Sequence, residues 1–209
     1  MSTELTVKER PIIFSGPMVQ AVLEGRKTMT RRVCHPQPCP EFLARGAVAV
    51  VPQWPLQDGV RWFMADGCSE LIKCAYGRPG DRLWVRETFR EVGEAKAEEL
   101  RCAWAYRADG EHGNVLRWKP AIFMPRWASR LTLGITAVRV ERLQDITEQD
   151  AIAEGVPRHD SRYLGGDWLR RLAGPILAFA DIWDSINDKR CPWSSNPWVW
   201  VISFRRIRM

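Results

Sequence analysis

A lysine and a threonine near the N-terminus are the residues whose types and spacing could support a reaction. Lys27 and Thr30 lie in the segment 23–32, LEGRKTMTRR, which also carries three arginines. Neighbouring cations disfavour the charged form of a lysine, so its pKa should fall toward the range of a working base. A hydroxyl within reach of that base is a candidate nucleophile. The alternative is that the four cations grip a phosphate or stay solvated on a turn.

The elements on either side of this pair decide whether its two side chains can meet. Residues 18–24 have the pattern of a short helix, and Gly25 stands where a left-handed cap belongs. A period of two from Thr28 predicts a strand. On a straight strand Lys27 and Thr30 would point to opposite faces. They can meet only if Lys27 still belongs to the turn after Gly25.

A second candidate group, Glu154, lies at the end of a short predicted helix over residues 146–155. Thr147 suits the N-cap with Asp150 three residues later, and Gly155 suits the C-terminal cap. A carboxyl in the last turn faces the negative end of the helix dipole and is harder to ionise, which suits an acid or base. The plain alternative is a surface glutamate in a poor position.

Composition restricts the class of protein. The chain has 209 residues, 45% hydrophobic and 27% charged, as expected for one globular domain. Its net charge of +6 favours an anionic partner such as RNA, DNA or a nucleotide, and some of its eleven tryptophans could stack on bases. Residues 1–4 lack a signal-peptide pattern and no apolar run reaches a membrane span, so we expect a cytoplasmic protein without membrane contact.

The six cysteines are expected to be reduced thiols in that compartment. Cys34, His35 and Cys39 form one loose group, and Cys68 with Cys74 forms another. Their separations do not match those of structural zinc sites. We therefore expect no disulfide, no metal and no cofactor.

The order of predicted elements favours a mixed β-structure. Five to seven strands with few helices, and no regular strand–helix alternation, indicate a mixed barrel with short helices at its mouth. Residues 33–76 have a poor pattern, with a hairpin expected near residues 61–64. A helical region is expected over 167–187, interrupted near Gly174 and Pro175. The predicted strands cover residues 11–14, 28–32, 82–88, 101–106, 131–143 and 196–209.

With these segments placed, the chain resembles the ASCH family, in its longer, tryptophan-rich branch often met in phages and prophages. The resemblance is carried by residues 25–32, 77–88, 118–155 and 183–204. It implies an α+β fold, a PUA-like mixed β-barrel with short helices at its mouth. It also implies a single domain over residues 1–209, with insertions at about 33–76 and about 158–192.

Small bacterial members of this family are amidohydrolases that remove the acyl group from N(4)-acetylcytidine. Their catalytic lysine, threonine and glutamate match Lys27, Thr30 and Glu154, so the resemblance implies a hydrolase acting on an amide bond of a small nucleoside. We further expect four residues to contact the substrate. They are Arg31, Arg32, Trp84 and Arg86.

The sequence leaves the mechanism and the function class open. In one mechanism, neutral Lys27 takes the proton of Thr30, which attacks the acyl carbonyl, and protonated Glu154 donates a proton to the leaving amine. In the other, Glu154 activates water directly. The alternative function is a PUA-like module that binds single-stranded RNA or modified nucleotides, with or without ribonuclease activity. In that case arginines including Arg126 would contact phosphates, and Trp84 or Trp127 would stack on bases. A third alternative is a phage accessory protein acting through protein contacts. The oligomeric state is not indicated.

Overall fold

A computed structural model describes most of the chain. The described residues are 6–37, 60–63, 69–92, 104–110, 117–156, 174–187 and 189–207. For 60–63 and 69–72 the description covers the backbone alone.

Nine strands and three α-helices occur in these ranges. The strands are β1 Glu9–Ile13, β2 Met29–Val33, β3 Val60–Phe63, β4 Ser69–Ile72, β5 Arg82–Arg86, β6 Phe89–Glu91, β7 Trp104–Tyr106, β8 Thr132–Arg142 and β9 Trp198–Ile207. The helices are α1 Gly16–Leu23, α2 Glu148–Ala153 and α3 Gly174–Asn187.

Five strands form one sheet in the order β1-β5-β8-β9-β2. β1 runs parallel to β5, and the other neighbours are antiparallel. The strands β3 and β4 form a separate hairpin, as do β6 and β7. The predicted α+β class with a mixed sheet and few helices is therefore confirmed. β1 and β2 remain the two edges of this sheet, so a closed PUA-like barrel stays a prediction.

The sheet is curved enough for its two edges to interact. The guanidinium of Arg32, on edge strand β2, donates a hydrogen bond of 2.7 Å to the carbonyl of Ile13 at the end of β1. Phe14, just after β1, packs against Phe204 of β9 with ring centroids 6.1 Å apart. Both rings are buried in the core.

Each face of the sheet is covered by different helices. On one face, α1 contributes Val19 and Val22 to the larger part of the core. The strand residues of this cluster include Leu83, Val85, Leu133, Ile135, Trp200, Ile202 and Phe204. On the other face, α2 and α3 contribute Ala151, Phe179 and Trp183. These side chains pack in one cluster with Leu143, Ile146, Val199 and Val201. Side chains alternate along β2, so Met29 and Arg31 face α2 and α3 while Thr30 and Arg32 face the opposite side.

The caps predicted from sequence are confirmed. The Thr147 hydroxyl accepts a hydrogen bond of 3.1 Å from the Asp150 N–H, and Gly25 and Gly155 have φ angles of +75° and +93°. Gly155 also permits close packing, because a Cβ there would lie 2.9 Å from the Cβ of Ala21. These local features place the turn before β2 against the end of α2.

Other sequence predictions are met in part. The hairpin expected near residues 61–64 is formed by β3 and β4. The helical region was predicted over 167–187, and its first part, 167–173, lies outside the described residues. The helix α3 begins at Gly174. Pro175 occupies its first turn, where a missing N–H is tolerated. Free thiols are found at Cys34, Cys74 and Cys191, while Cys39, Cys68 and Cys102 lie outside the described residues.

No helix in the described ranges has the length and hydropathy needed to cross a bilayer.

Candidate active site

The turn between α1 and β2 holds the amine of Lys27 against the C-terminal end of α2. The backbone N–H of Lys27 donates to the carbonyl of Ala21, and that of Thr28 donates to the carbonyl of Ala153. Lys27 Nζ donates three hydrogen bonds: 2.7 Å to Glu154 Oε2, 2.8 Å to the Glu154 carbonyl and 2.8 Å to the Met29 carbonyl. The Lys27 side chain is fully buried. Two residues 127 positions apart thus share a hydrogen bond inside the protein.

The protonation of this pair follows from its burial and its contacts. Burial lowers the pKa of Lys27; the Glu154 carboxylate opposes this effect, and Arg32 and Arg31 add to it. Three acceptors around Nζ match the three N–H bonds of an ammonium. The resting pair is therefore ammonium and carboxylate. The lowered pKa of Lys27 reduces the free energy needed to form its neutral amine.

A second cation contacts the other oxygen of the same carboxylate. Arg31 Nη1 lies 3.3 Å from Glu154 Oε1. The Arg31 guanidinium also donates to Glu141, and 2.7 Å to Asp150 Oδ2. Arg139 binds the same two carboxylates, at 2.9 Å to Glu141 and 2.5 Å to Asp150. We call this arrangement the six-charge network; its members are Lys27, Arg31, Arg139, Glu141, Asp150 and Glu154.

The network gives Glu154 a different electrostatic setting from the one expected from sequence. The sequence predicted Glu154 in the last turn of the helix; α2 ends at Ala153, so Glu154 is instead the C-cap residue, and Gly155 follows it. The negative end of the helix dipole was the one influence on this carboxyl expected from the sequence, whereas in the structure an ammonium and a guanidinium contact the carboxylate. The dipole acts weakly over one helical turn, while direct charge contacts in a buried site are strong.

Among the described residues, no hydrogen bond joins Thr30 to the Lys27–Glu154 pair. Lys27 precedes β2 and so belongs to the turn after Gly25. This position was the condition under which the side chains of Lys27 and Thr30 could meet. Lys27 Nζ lies 5.5 Å from the ring centroid of Phe14, and the Arg32 guanidinium lies 5.6 Å from the same centroid. Thr30 lies on the same face of β2 as Arg32. Thr30 is buried. The three hydrogen bonds of Nζ, however, all go to Met29 and Glu154, so the structure leaves the nucleophile role of Thr30 a prediction.

The four predicted substrate contacts separate into three places. Arg31 is fully buried in the six-charge network, and its guanidinium faces carboxylates. Arg32 is half-buried and bridges the sheet edges, and burial lowers its pKa. Arg86 lies over the ring of Trp84, 5.3 Å from its centroid, and donates to the carbonyls of residues 122 and 124. Within the described part of the chain, no hydrogen bond or ring contact joins Trp84 or Arg86 to the Lys27–Glu154 pair.

Sequence reasoning missed Arg139 and Glu141, and it assigned Asp150 only to helix capping. Arg139 and Glu141 are two residues apart on β8 and therefore share one face. Arg31 on β2 and Arg139 on β8 both pair with Val201 of β9. The alternation along β8 was readable from sequence, but the strand order that sets it opposite β2 was not.

A cavity of about 290 Å³ opens beside Glu154. Its described walls come from the start and middle of α1, the residues after α2, and one side of α3. The polar residues among these walls are Ser15, Arg26, Glu154 and Ser185. Lys27 lies behind the wall: a Cβ on Gly155 would be 3.1 Å from the Lys27 Cβ. Glu154 is thus the member of the pair that borders the cavity.

Comparison with protein-family models, curated protein sequences and solved structures finds no match to this chain. The resemblance to the ASCH family therefore stays a prediction that rests on the chain's own residues. Within the described ranges, no group of three or more histidine, cysteine or acidic side chains is arranged to hold a metal ion.

We predict that Arg31→Met destabilises the fold strongly. It removes the central cation and leaves three carboxylates with unbalanced charge, for which the expected loss is about 3–5 kcal/mol of unfolding free energy. The measurement is urea denaturation at neutral pH. Arg26→Met is the matched control, because Arg26 forms an exposed pair with Glu24 and should cost less than about 1 kcal/mol. Equal losses in the two variants would contradict a network held together by Arg31.

Proposed function

We propose that the chain is an amidohydrolase that removes the acyl group from N(4)-acetylcytidine or a related N(4)-acylated cytosine nucleoside. The observation that carries the proposal is the buried ion pair between Lys27 Nζ and Glu154 Oε2, at 2.7 Å, beside a cavity. An ionisable group such as Lys27, whose pKa is lowered by burial and which has a specific charge partner beside a cavity, is typical of catalytic sites. The curved mixed sheet agrees with the further proposal of a PUA-like ASCH domain.

The pair can carry out the proton transfer of the hydrolysis, in which Glu154 moves the proton and Lys27 compensates the charge of the carboxylate. The carboxylate of Glu154 takes a proton from water, whose oxygen forms a bond to the acyl carbonyl carbon. Protonated Glu154, which borders the cavity, then passes this proton to N4 of cytosine as the C–N bond breaks, while the buried ammonium of Lys27 stays hydrogen-bonded to its carboxyl group. Cytidine leaves with a free amino group, and the acyl group leaves as a carboxylic acid that ionises. Glu154 is then a carboxylate again, paired with the Lys27 ammonium, and the resting charges are restored.

The geometry favours this water route over attack by Thr30. A carboxylate has about four lone-pair sites, so Glu154 retains acceptor positions for water beside Lys27 and Arg31. For Thr30 to act as nucleophile, Lys27 must first pass its proton to Glu154 and then turn from its present acceptors toward the threonine hydroxyl. The lowered pKa of Lys27 makes the first step accessible, but the second requires a rearrangement.

We predict that Lys27→Met and Glu154→Gln each lower kcat for N(4)-acetylcytidine deacylation by ~100- to 10,000-fold, because Glu154→Gln removes the group that moves the proton and Lys27→Met removes the cation that holds that group. Substrate affinity should change much less. Product formation is followed by chromatography, with folding checked by circular dichroism. If both variants turn over like the parent, or if the parent forms no cytidine, the assignment is wrong.

Thr30 variants separate the two routes in the same assay. On the water route, Thr30→Val keeps most of the rate because the shape of the side chain is preserved. On the threonine route, Thr30→Val abolishes turnover while Thr30→Ser retains it, since a hydroxyl remains.

A second candidate function is single-stranded RNA binding, favoured by exposed aromatic side chains. Trp127 is 70% exposed and Phe123 69%, and Trp127 packs on Trp104 with centroids 4.8 Å apart. An indole held by a second ring is a platform for an unpaired base. Arg126 beside it already pairs with Glu9 at 2.9 Å, so the phosphate contact expected of Arg126 would compete with that pair.

If this surface binds RNA, Trp127→Ala should weaken the complex by about 1–3 kcal/mol, the usual value of one stacked base. The measurement is fluorescence anisotropy with a labelled oligonucleotide at several salt concentrations. Leu177→Ala, which alters a similarly exposed apolar side chain on α3, is the control. Affinity that is absent, or unchanged in Trp127→Ala, would exclude this binding surface.

A further inference from the structure

The polar groups that border the cavity are almost all engaged within the protein. Arg26 donates to Glu24 and to the Gly155 carbonyl, and the Ser185 hydroxyl donates to the Ile182 carbonyl. The Glu154 carboxylate binds two cations of the six-charge network. A ligand group with several donors and acceptors would find few free partners here, and polar groups that lose water without gaining a partner cost binding free energy. The cavity therefore suits an apolar group.

The remaining walls supply an apolar surface from three elements. These residues are Met18 of α1, Val156 after α2, and Phe179, Ile182 and Ile186 of α3. Sites for small ligands usually occupy roughly 300–1,000 Å³, and this cavity of about 290 Å³ is near the lower end. It is small for a whole nucleoside with its ribose hydroxyls, and large for the single methyl of an acetyl group.

We propose that this cavity is the acyl-binding subsite, and that the preferred substrates carry acyl chains longer than acetyl. The inference rests on the proposed amidohydrolase function. The position of Glu154 links the two, since the residue both borders the cavity and belongs to the proton-handling pair. An acyl chain in the cavity places its carbonyl carbon at the Glu154 end, and the polar nucleoside lies outside.

The test is a series of N(4)-acylcytidines with acetyl, butanoyl and hexanoyl groups. Each methylene transferred from water into an apolar site favours binding by roughly fourfold. From acetyl to hexanoyl, kcat/KM should therefore rise on the order of 100-fold by the same relation. In Ile182→Arg, a cation on the cavity wall should remove most of this rise. Leu177→Arg is the matched control, because Leu177 lies on the same helix, is 55% exposed and is not among the cavity walls.

Binding is measured separately by calorimetry with the same compounds, so that the subsite and the chemistry can fail independently. If hexanoyl and acetyl substrates react equally well, or Ile182→Arg slows both equally, the subsite is overturned and the amidohydrolase function stands. If hexanoylcytidine binds more tightly than acetylcytidine, and Ile182→Arg abolishes that difference without any turnover, the subsite stands and the amidohydrolase function fails. If no compound binds or reacts, both are overturned.

Discussion

The structure depends on one buried contact, the hydrogen-bonded ion pair between Lys27 and Glu154. An ammonium with no exposed side-chain surface is costly unless its charge is compensated and its N–H bonds are all accepted. Met29 and Glu154 accept all three. The end of α2 must therefore meet the turn before β2 at close range, and Gly155, which has no Cβ to collide with Ala21, allows that approach.

The rest of the network extends this compensation toward the protein surface. Burial decreases from Lys27 and Arg31, whose side chains are fully buried, to the partly exposed Arg139. Such a network is a poor source of net stability, because hydrophobic residues could fill the same space at lower cost. Its value lies in fixing Glu154 with one oxygen on each of two cations, beside a cavity that is mostly apolar.

Local features of the fold were predictable from sequence, and the site was predictable only in part. Gly25, Thr147 and Gly155 act through contacts within a few residues, so their patterns indicated the caps correctly. Lys27 and Glu154 were singled out by residue type and by family resemblance, which do not depend on strand order. The roles of Arg139 and Glu141 depend on β8, β9 and β2 lying side by side, which no local pattern encodes. The setting of Glu154 was misjudged for the same reason, because its cations come from other elements.

In the proposed function, Lys27 and Glu154 act as one proton-transferring unit. A double-mutant cycle on the rate of N(4)-acylcytidine deacylation tests it most directly, using Lys27→Met, Glu154→Gln and the two together. Residues that act as a unit have strongly non-additive effects, since losing either one already disables the other. The account predicts that the double variant is no slower than the slower single variant. Rate losses that multiply in the double variant would show two independent residues and contradict the account.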